Sequence, residues 1–320
     1  MQICRATSTH PHDPYVARRR FWDLYADCDA LEPWVGAFAY DEQDPHSKRL
    51  LDASDWRRFA ITDAHIRRSR QAYFANISYL DEKIGELLAV LERTRQHERT
   101  IVLFLSDHGD MLGERGLWFK MSFFEGSARV PLLLAAPGLP AASIEAPVST
   151  LDVLPTLADL AGVDLAEIAP WTDGESLLPV ALGAGRSGPV RMEYVAEGSI
   201  APMAALRDER FKLVVSAADP AQLFDLRADP SELSNLAFDP AHEADLERLS
   251  ALAGTLWDMD AYDREVRESQ ARRHVVYRGL RNGAYYPWDF QPLQRASERY
   301  MRNHMDLNVL EERQRHPRGE

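Results

Sequence analysis

Five consecutive apolar residues, Ile101 to Leu105, run directly into Ser106, Asp107, His108, Gly109 and Asp110, and no other stretch constrains this chain as strongly. A continuous apolar run ended by turn residues predicts a strand buried on both faces, as in a parallel sheet. The polar cluster then stands at the strand's C-terminal end, where open α/β sheets bind ligands. A carboxylate and an imidazole side by side there predict a metal site. The competing reading is that Ser106, Asp107 and Asp110 only cap the next helix. Oxygen donors with one imidazole suit Ca²⁺, Mg²⁺ or Mn²⁺ better than Zn²⁺. Lys120, beyond a loop punctuated by Gly113 and Gly116, is placed to return as an anion clamp. Together these residues point to hydrolysis of an anionic ester.

Composition narrows the field. A formal net charge of -13 over 320 residues excludes a general nucleic-acid or anionic-membrane binder, which would need basic surface. Any anionic substrate must therefore be held by local positive charge. Cys4 and Cys28 are the only cysteines, too few for a disulfide scaffold or a cysteine zinc site. No apolar run reaches membrane-spanning length, and the first ten residues lack a signal peptide's apolar core, so the expected location is cytoplasmic.

Residues 7 to 60 read as loop with short helical pieces. Ile66, Tyr73, Phe74, Ile77, Leu80, Ile84, Leu87 and Leu91 recur at helical spacing, predicting one long amphipathic helix, or two abutting ones, within Thr62–Arg99. Val130 to Ala136 reads as a second core strand. Thr150 to Gly162 reads as a helix capped by Thr150 and stopped by Gly162. This order of elements predicts an α/β fold. Short strands at 204–206, 211–215 and 223–226 predict a small antiparallel sheet, and 240–270 is helical again. The aromatic tail around Tyr285-Tyr286-Pro287-Trp288 is expected to dock rather than to be disordered.

Two other clusters carry chemistry. Thr9-His10-Pro11-His12-Asp13-Pro14 holds two histidines between prolines, which restrict the backbone and so aim the imidazoles; a rigid surface loop is the plainer reading. Glu193 and Glu197 could face a cationic part of a substrate, or simply be solvated.

These motifs resemble a known family. Ser106 to Lys120 resembles the second metal-binding segment of type I sulfatases, in the alkaline phosphatase superfamily, and His10 to Tyr15 resembles their substrate-histidine segment. Leu223 to Leu236 resembles the signature of their C-terminal subdomain. The stretches Arg281 to Pro292 and Tyr300 to Met305 look like the tail of the choline-sulfatase branch. The resemblance implies that Asp107 and His108 ligate the metal and that Lys120 neutralises sulfate. It gives His12 contact with the sulfate or leaving oxygen, with His10 assisting, and has Glu197 face the ammonium group of choline-O-sulfate. It also implies an α/β, alkaline-phosphatase-like core over 1–200, a small α+β subdomain over 201–257 and an extended tail over 258–320 that makes homo-oligomer contacts. The family's nucleophile is a formylglycine made within a Cys/Ser-x-Pro-x-Arg motif, and neither Cys4 nor Cys28 stands in one. The expectation is a truncated sulfuric ester hydrolase core without its nucleophile segment and with little activity alone. The alternatives are a non-catalytic, partner-binding remnant and a phosphoric ester hydrolase of the same superfamily.

Overall fold

The computed structural model describes residues 4–56 and 59–281. The aromatic tail beyond residue 281, with its expected oligomer contacts, lies outside the described residues. Contacts divide the chain into two units, one containing Pro33–Ala53 and Asp81–Tyr262, the other Thr9–Glu32, Ser54–Leu80 and the chain from Asp263.

In the second unit a short helix α1 (Arg19–Trp22) buries Phe21, whose ring meets Tyr79 edge-on at 5.7 Å. Tyr79 sits on helix α3, Asp63–Arg93, whose single uninterrupted run matches the apolar periodicity. Gln71 Nε2 donates to Trp22 O at 3.0 Å and Arg67 donates to Cys28 O at 3.0 Å, so the loop before Glu32 is tied along that helix.

In the first unit, helix α2 (Pro45–Ala53) starts where its sequence dictates. Asp44 Oδ1 accepts from the amides of His46 and Ser47, and Pro45 follows the cap, where its missing N–H costs nothing. Strand β1 (Val102–Leu105) and strand β2 (Leu132–Ala135) form an antiparallel ribbon, with Val102 opposite Ala135 and Leu105 opposite Leu132. This corrects the parallel, doubly buried strand expected from the sequence. Phe104 is 37% exposed and Leu133 60% exposed, so the ribbon's faces are only partly covered. An apolar run reads the same whether its neighbour is parallel or antiparallel, because periodicity carries no strand direction. Between the two strands lies the polar loop and a short helix α4 (Glu125–Ala128).

Helix α5 (Val153–Ala161) ends at Gly162, which takes the left-handed conformation at φ 64° as expected. Its start differs. Ser149, not Thr150, forms the cap, accepting from Leu151 N at 3.2 Å while Asp152 accepts from Ser149 N at 2.8 Å. A short 3-10 turn over Thr150–Asp152 moves the cap back by one residue. Short helices α6 (Leu165–Ile168) and α7 (Leu178–Ala181) follow.

Strands β3 (Val190–Tyr194), β4 (Met203–Arg207), β5 (Phe211–Ser216) and β6 (Gln222–Asp225) form an antiparallel meander in chain order. Strand alternation gives the sheet two apolar faces. Leu206, Phe211, Leu213 and Leu223 pack on Leu249 and Ala253 of helix α8 (Glu243–Leu256). Each buried leucine there contributes about 1.5–3 kcal/mol. Met203, Ala205 and Val214 face the other way, onto Phe123, Met192 and Tyr194. Helix α9 (Met259–Arg281) follows α8. No helix among the described residues is long and apolar enough to cross a membrane.

Candidate active site

Asp107 and His108 leave the end of β1 together. The Asp107 side chain is 86% exposed, and its Oδ2 lies 3.7 Å from His108 Nε2. His108 Nδ1 donates to Gly109 O at 2.8 Å, a bond to a pure acceptor that, in the neutral ring, leaves the lone pair on Nε2. Backbone acceptors of this kind orient metal-ligating imidazoles. Burial works against the charge of Asp107, but His108, its amide and Ser106 outweigh it, so the carboxyl ionises below its ordinary range. Capping does occur nearby, since Asp110 Oδ1 accepts from Leu112 N at 3.0 Å. Behind the pair, Gly109 N donates to Ser127 O at 2.7 Å, and a Cβ on Gly109 would stand 2.1 Å from Gly126 O. Only glycine permits that approach.

The loop to Lys120 is held in an unusual backbone. Leu112, Arg115, Phe119 and Met121 all have positive φ, from 46° to 83°. Such residues cost about 1–3 kcal/mol each and persist only when surroundings over-determine them. Here the surroundings are specific. Glu114 accepts from the amides of Trp34 and Val35 at 3.1 and 2.8 Å, and Arg115 N donates to Val35 O at 2.9 Å. Gln43 Nε2 donates to Arg115 O at 2.6 Å. The buried Arg115 guanidinium lies over Phe38 at 4.7 Å and Phe124 at 4.2 Å, and donates to Glu232 O at 3.0 Å. Lys120 itself is flanked by two pinned residues. Met111 N donates to Phe119 O at 2.6 Å, and His46 Nε2 donates to Met121 O at 2.7 Å.

Glu193 and Glu197, on and just after β3, separate into different roles. Glu193 accepts from Trp257 Nε1 at 2.7 Å and from the Tyr262 hydroxyl at 3.1 Å, so both its oxygens brace β3 against the helices after the sheet. Glu197 is exposed and accepts from the Tyr194 hydroxyl at 3.3 Å, which also donates to Glu197 O at 2.9 Å. Burial, then the Glu197 charge, pushes the Tyr194 phenol well above its ordinary value.

His10 and His12 belong to the second unit. His10 meets Tyr79 edge-on at 5.6 Å, and burial followed by Arg18 lowers its pKa, keeping it neutral near pH 7. The half-exposed His12 holds Asp13 close, with Nδ1 at 2.9 Å from Oδ1. Asp107, His108, Lys120 and Glu197 lie in the first unit.

The residues fit part of a divalent-metal shell. A carboxylate oxygen and an imidazole with a fixed lone pair are suitable donors, but among the described residues no third His, Cys, Asp or Glu completes a metal-binding group. A hard ion such as Ca²⁺ takes about six to eight oxygen donors. The Ser-x-Pro-x-Arg spacing does occur once, at Ser187-Gly188-Pro189-Val190-Arg191, with a serine and not a cysteine at its head. Ser187 is on an exposed turn before β3, and its hydroxyl donates to Glu175. His46 and Arg49, which hold Met121 O and Gly198 O, stand in no motif; their signal in the sequence is Asp44-Pro45, a helix start inside a region that otherwise reads as loop.

Residues 8–163 match the Sulfatase family, residues 113–256 the C-terminal part of N-sulphoglucosamine sulphohydrolase, and residues 264–316 the C-terminal part of choline sulfatase enzymes. A choline-sulfatase of Rhizobium meliloti (strain 1021) is 62% identical over 315 residues, covering 98% of this chain and 62% of that protein. An arylsulfatase of Clostridium perfringens is 31% identical over 163 residues, covering 49% of this chain and 33% of its own. The chain thus spans less than two thirds of the length of these relatives. Among solved structures, the phosphonate monoester hydrolase of Silicibacter pomeroyi superposes with a TM-score of 0.64 at 30% identity, over 76% of this chain and 53% of that one. The residues at the end of β1, the matched stretches and the shared α/β fold agree: the chain belongs to the sulfatase family.

Proposed function

We propose that this chain is the part of a choline-sulfatase that holds one side of the metal, the sulfate and the choline group, and so serves hydrolysis of choline-O-sulfate to choline and sulfate. The observation that carries this reading is the 62% identity with the Rhizobium enzyme, which extends over 98% of the chain. Asp107 and His108 Nε2 would hold a divalent ion, Ca²⁺ before Mn²⁺ or Mg²⁺. Bound there, the ion supplies Lewis-acid polarisation of a sulfuryl oxygen. Lys120 neutralises the sulfate's charge, which the net charge of -13 would otherwise repel. Glu197 attracts the quaternary ammonium, and the neighbouring Tyr194 ring favours a cation. For His12 and His10 the support is the family resemblance alone, which gives His12 contact with the sulfate or leaving oxygen and His10 an assisting role.

The test is calorimetric titration of purified protein with choline-O-sulfate in Ca²⁺ or Mn²⁺, together with assay of sulfate release. Binding that weakens in both Lys120→Ala and Glu197→Gln is expected; binding unchanged by either variant would sink the reading. A second reading, phosphoric ester hydrolysis, is favoured by the 30% identity with the phosphonate monoester hydrolase. Preference for phosphonate or phosphate monoesters in the same titration would select it.

A further inference from the structure

Helix α2 touches the backbone beside both candidate ligand-binding side chains. His46, in its first turn, donates from Nε2 to Met121 O at 2.7 Å, the carbonyl next to Lys120. Arg49, three residues later, donates from Nε to Gly198 O at 2.5 Å, the carbonyl next to Glu197. Residues three apart lie on one face of a helix, so one rigid surface grips both loops. From this we infer that α2 is a ruler: His46 and Arg49 are positioning residues that fix the spacing between Lys120 and Glu197, and hence select a sulfate ester carrying its cationic group at a set distance. The inference rests on the choline-O-sulfate reading above.

The grips are rigid where a ruler needs rigidity. Arg49 also forks onto Asp219, with bonds of 2.9 and 2.5 Å, and the pair is largely buried at 22% and 9% side-chain exposure. A planar guanidinium held by a carboxylate fork has little freedom to move. Gly198 has φ +76°, and a Cβ there would stand 2.8 Å from Leu50 Cδ2, so the turn after Glu197 rests directly on the helix. At the other end His46 is 4% exposed and packs edge-on against Tyr194 at 5.6 Å. Tyr194 in turn donates to Glu197, so the two grips also meet through β3. His46 Nδ1 is buried with no hydrogen-bond partner among the described residues, which leaves the bond to Met121 O as this ring's fixed attachment.

Two probes separate spacing from mere affinity: choline-O-sulfate, and 3,3-dimethylbutyl sulfate, which keeps the anionic sulfate and has the same shape but a neutral carbon in place of the ammonium nitrogen. Calorimetry on the full chain gives the affinity ratio between them. Arg49→Lys keeps the charge but cannot fork, and should lower that ratio roughly tenfold, the value of one well-placed charged contact, with the isostere's affinity unchanged. His46→Leu should weaken both probes together, because it loosens the lysine end; His46→Asn, which can still donate to Met121 O, should restore part of the loss. Melting curves confirm that each variant folds, and Asp219→Asn, which removes the carboxylate that holds Arg49 and leaves Arg49 itself in place, should repeat the Arg49→Lys result. A folded Arg49→Lys or Asp219→Asn protein with the wild-type ratio overturns the ruler. A wild-type protein that binds both probes equally overturns the choline reading itself, so the two failures are distinguishable.

Discussion

Lys212 Nζ lies 2.8 Å from Glu232 Oε1, and both side chains are buried, at 0% and 4% exposure. Glu125 adds a second carboxylate at 2.7 Å, and Glu232 also accepts from Glu125 N at 2.8 Å. The cluster sits under α4 and beside the Arg115 bonds to Ser231 and Glu232, so it braces the candidate loop from within. Burial pushes the Glu232 carboxyl above its ordinary range even though Lys212 opposes it. Removing one partner of a buried pair strands the other charge. Lys212→Met is expected to cost about 3–5 kcal/mol, read from urea unfolding midpoints. A loss near zero would show that the carboxylates are neutralised in some other way.

Gly109→Ala forces a Cβ to within 2.1 Å of Gly126 O, which is backbone and cannot swing away. The strand end must move, and with it His108. A loss of about 1–3 kcal/mol in stability is expected from such overpacking, together with weaker metal binding. Thermal melts with and without Ca²⁺ report both quantities.

Asp107→Asn removes the charged donor but keeps the shape. Ca²⁺ bound to the native state should raise the melting temperature of the wild-type chain, by an amount that grows with the logarithm of free ion. EDTA should abolish the rise, and the variant should lack it. A full Ca²⁺ shift in Asp107→Asn would place the ion elsewhere.

Tyr262 gives the pH dependence. Burial, then Glu193, pushes its phenol from 10 up to about 12. Below pH 10 the folded and unfolded chains both keep this proton, and stability does not depend on it. Between 10 and about 12 the unfolded chain has lost the proton while the folded chain retains it, so stability falls as pH rises. Ultraviolet titration of wild type against Tyr262→Phe isolates the late-ionising group. In Glu193→Gln the titration should move back toward 10; no movement would remove Glu193 as a cause.

What the sequence determined by itself was local. The apolar repeat from Ile66 onward specifies α3, Gly162 specifies the stop of α5, and the short alternating runs after residue 201 specify the meander, because each signal lies within a few residues of the structure it sets. Asp107-His108-Gly109 likewise carries its own geometry, since the imidazole is oriented by the next carbonyl. Tertiary structure decided the rest. The antiparallel partner of β1, the bracing role of Glu193 and the pins around Lys120 depend on contacts between distant residues, such as His46 with Met121 and Arg49 with Gly198. Neither residue carries a periodic or spacing signal of its own, and only packing turns a helix start at Asp44-Pro45 into a link between two loops.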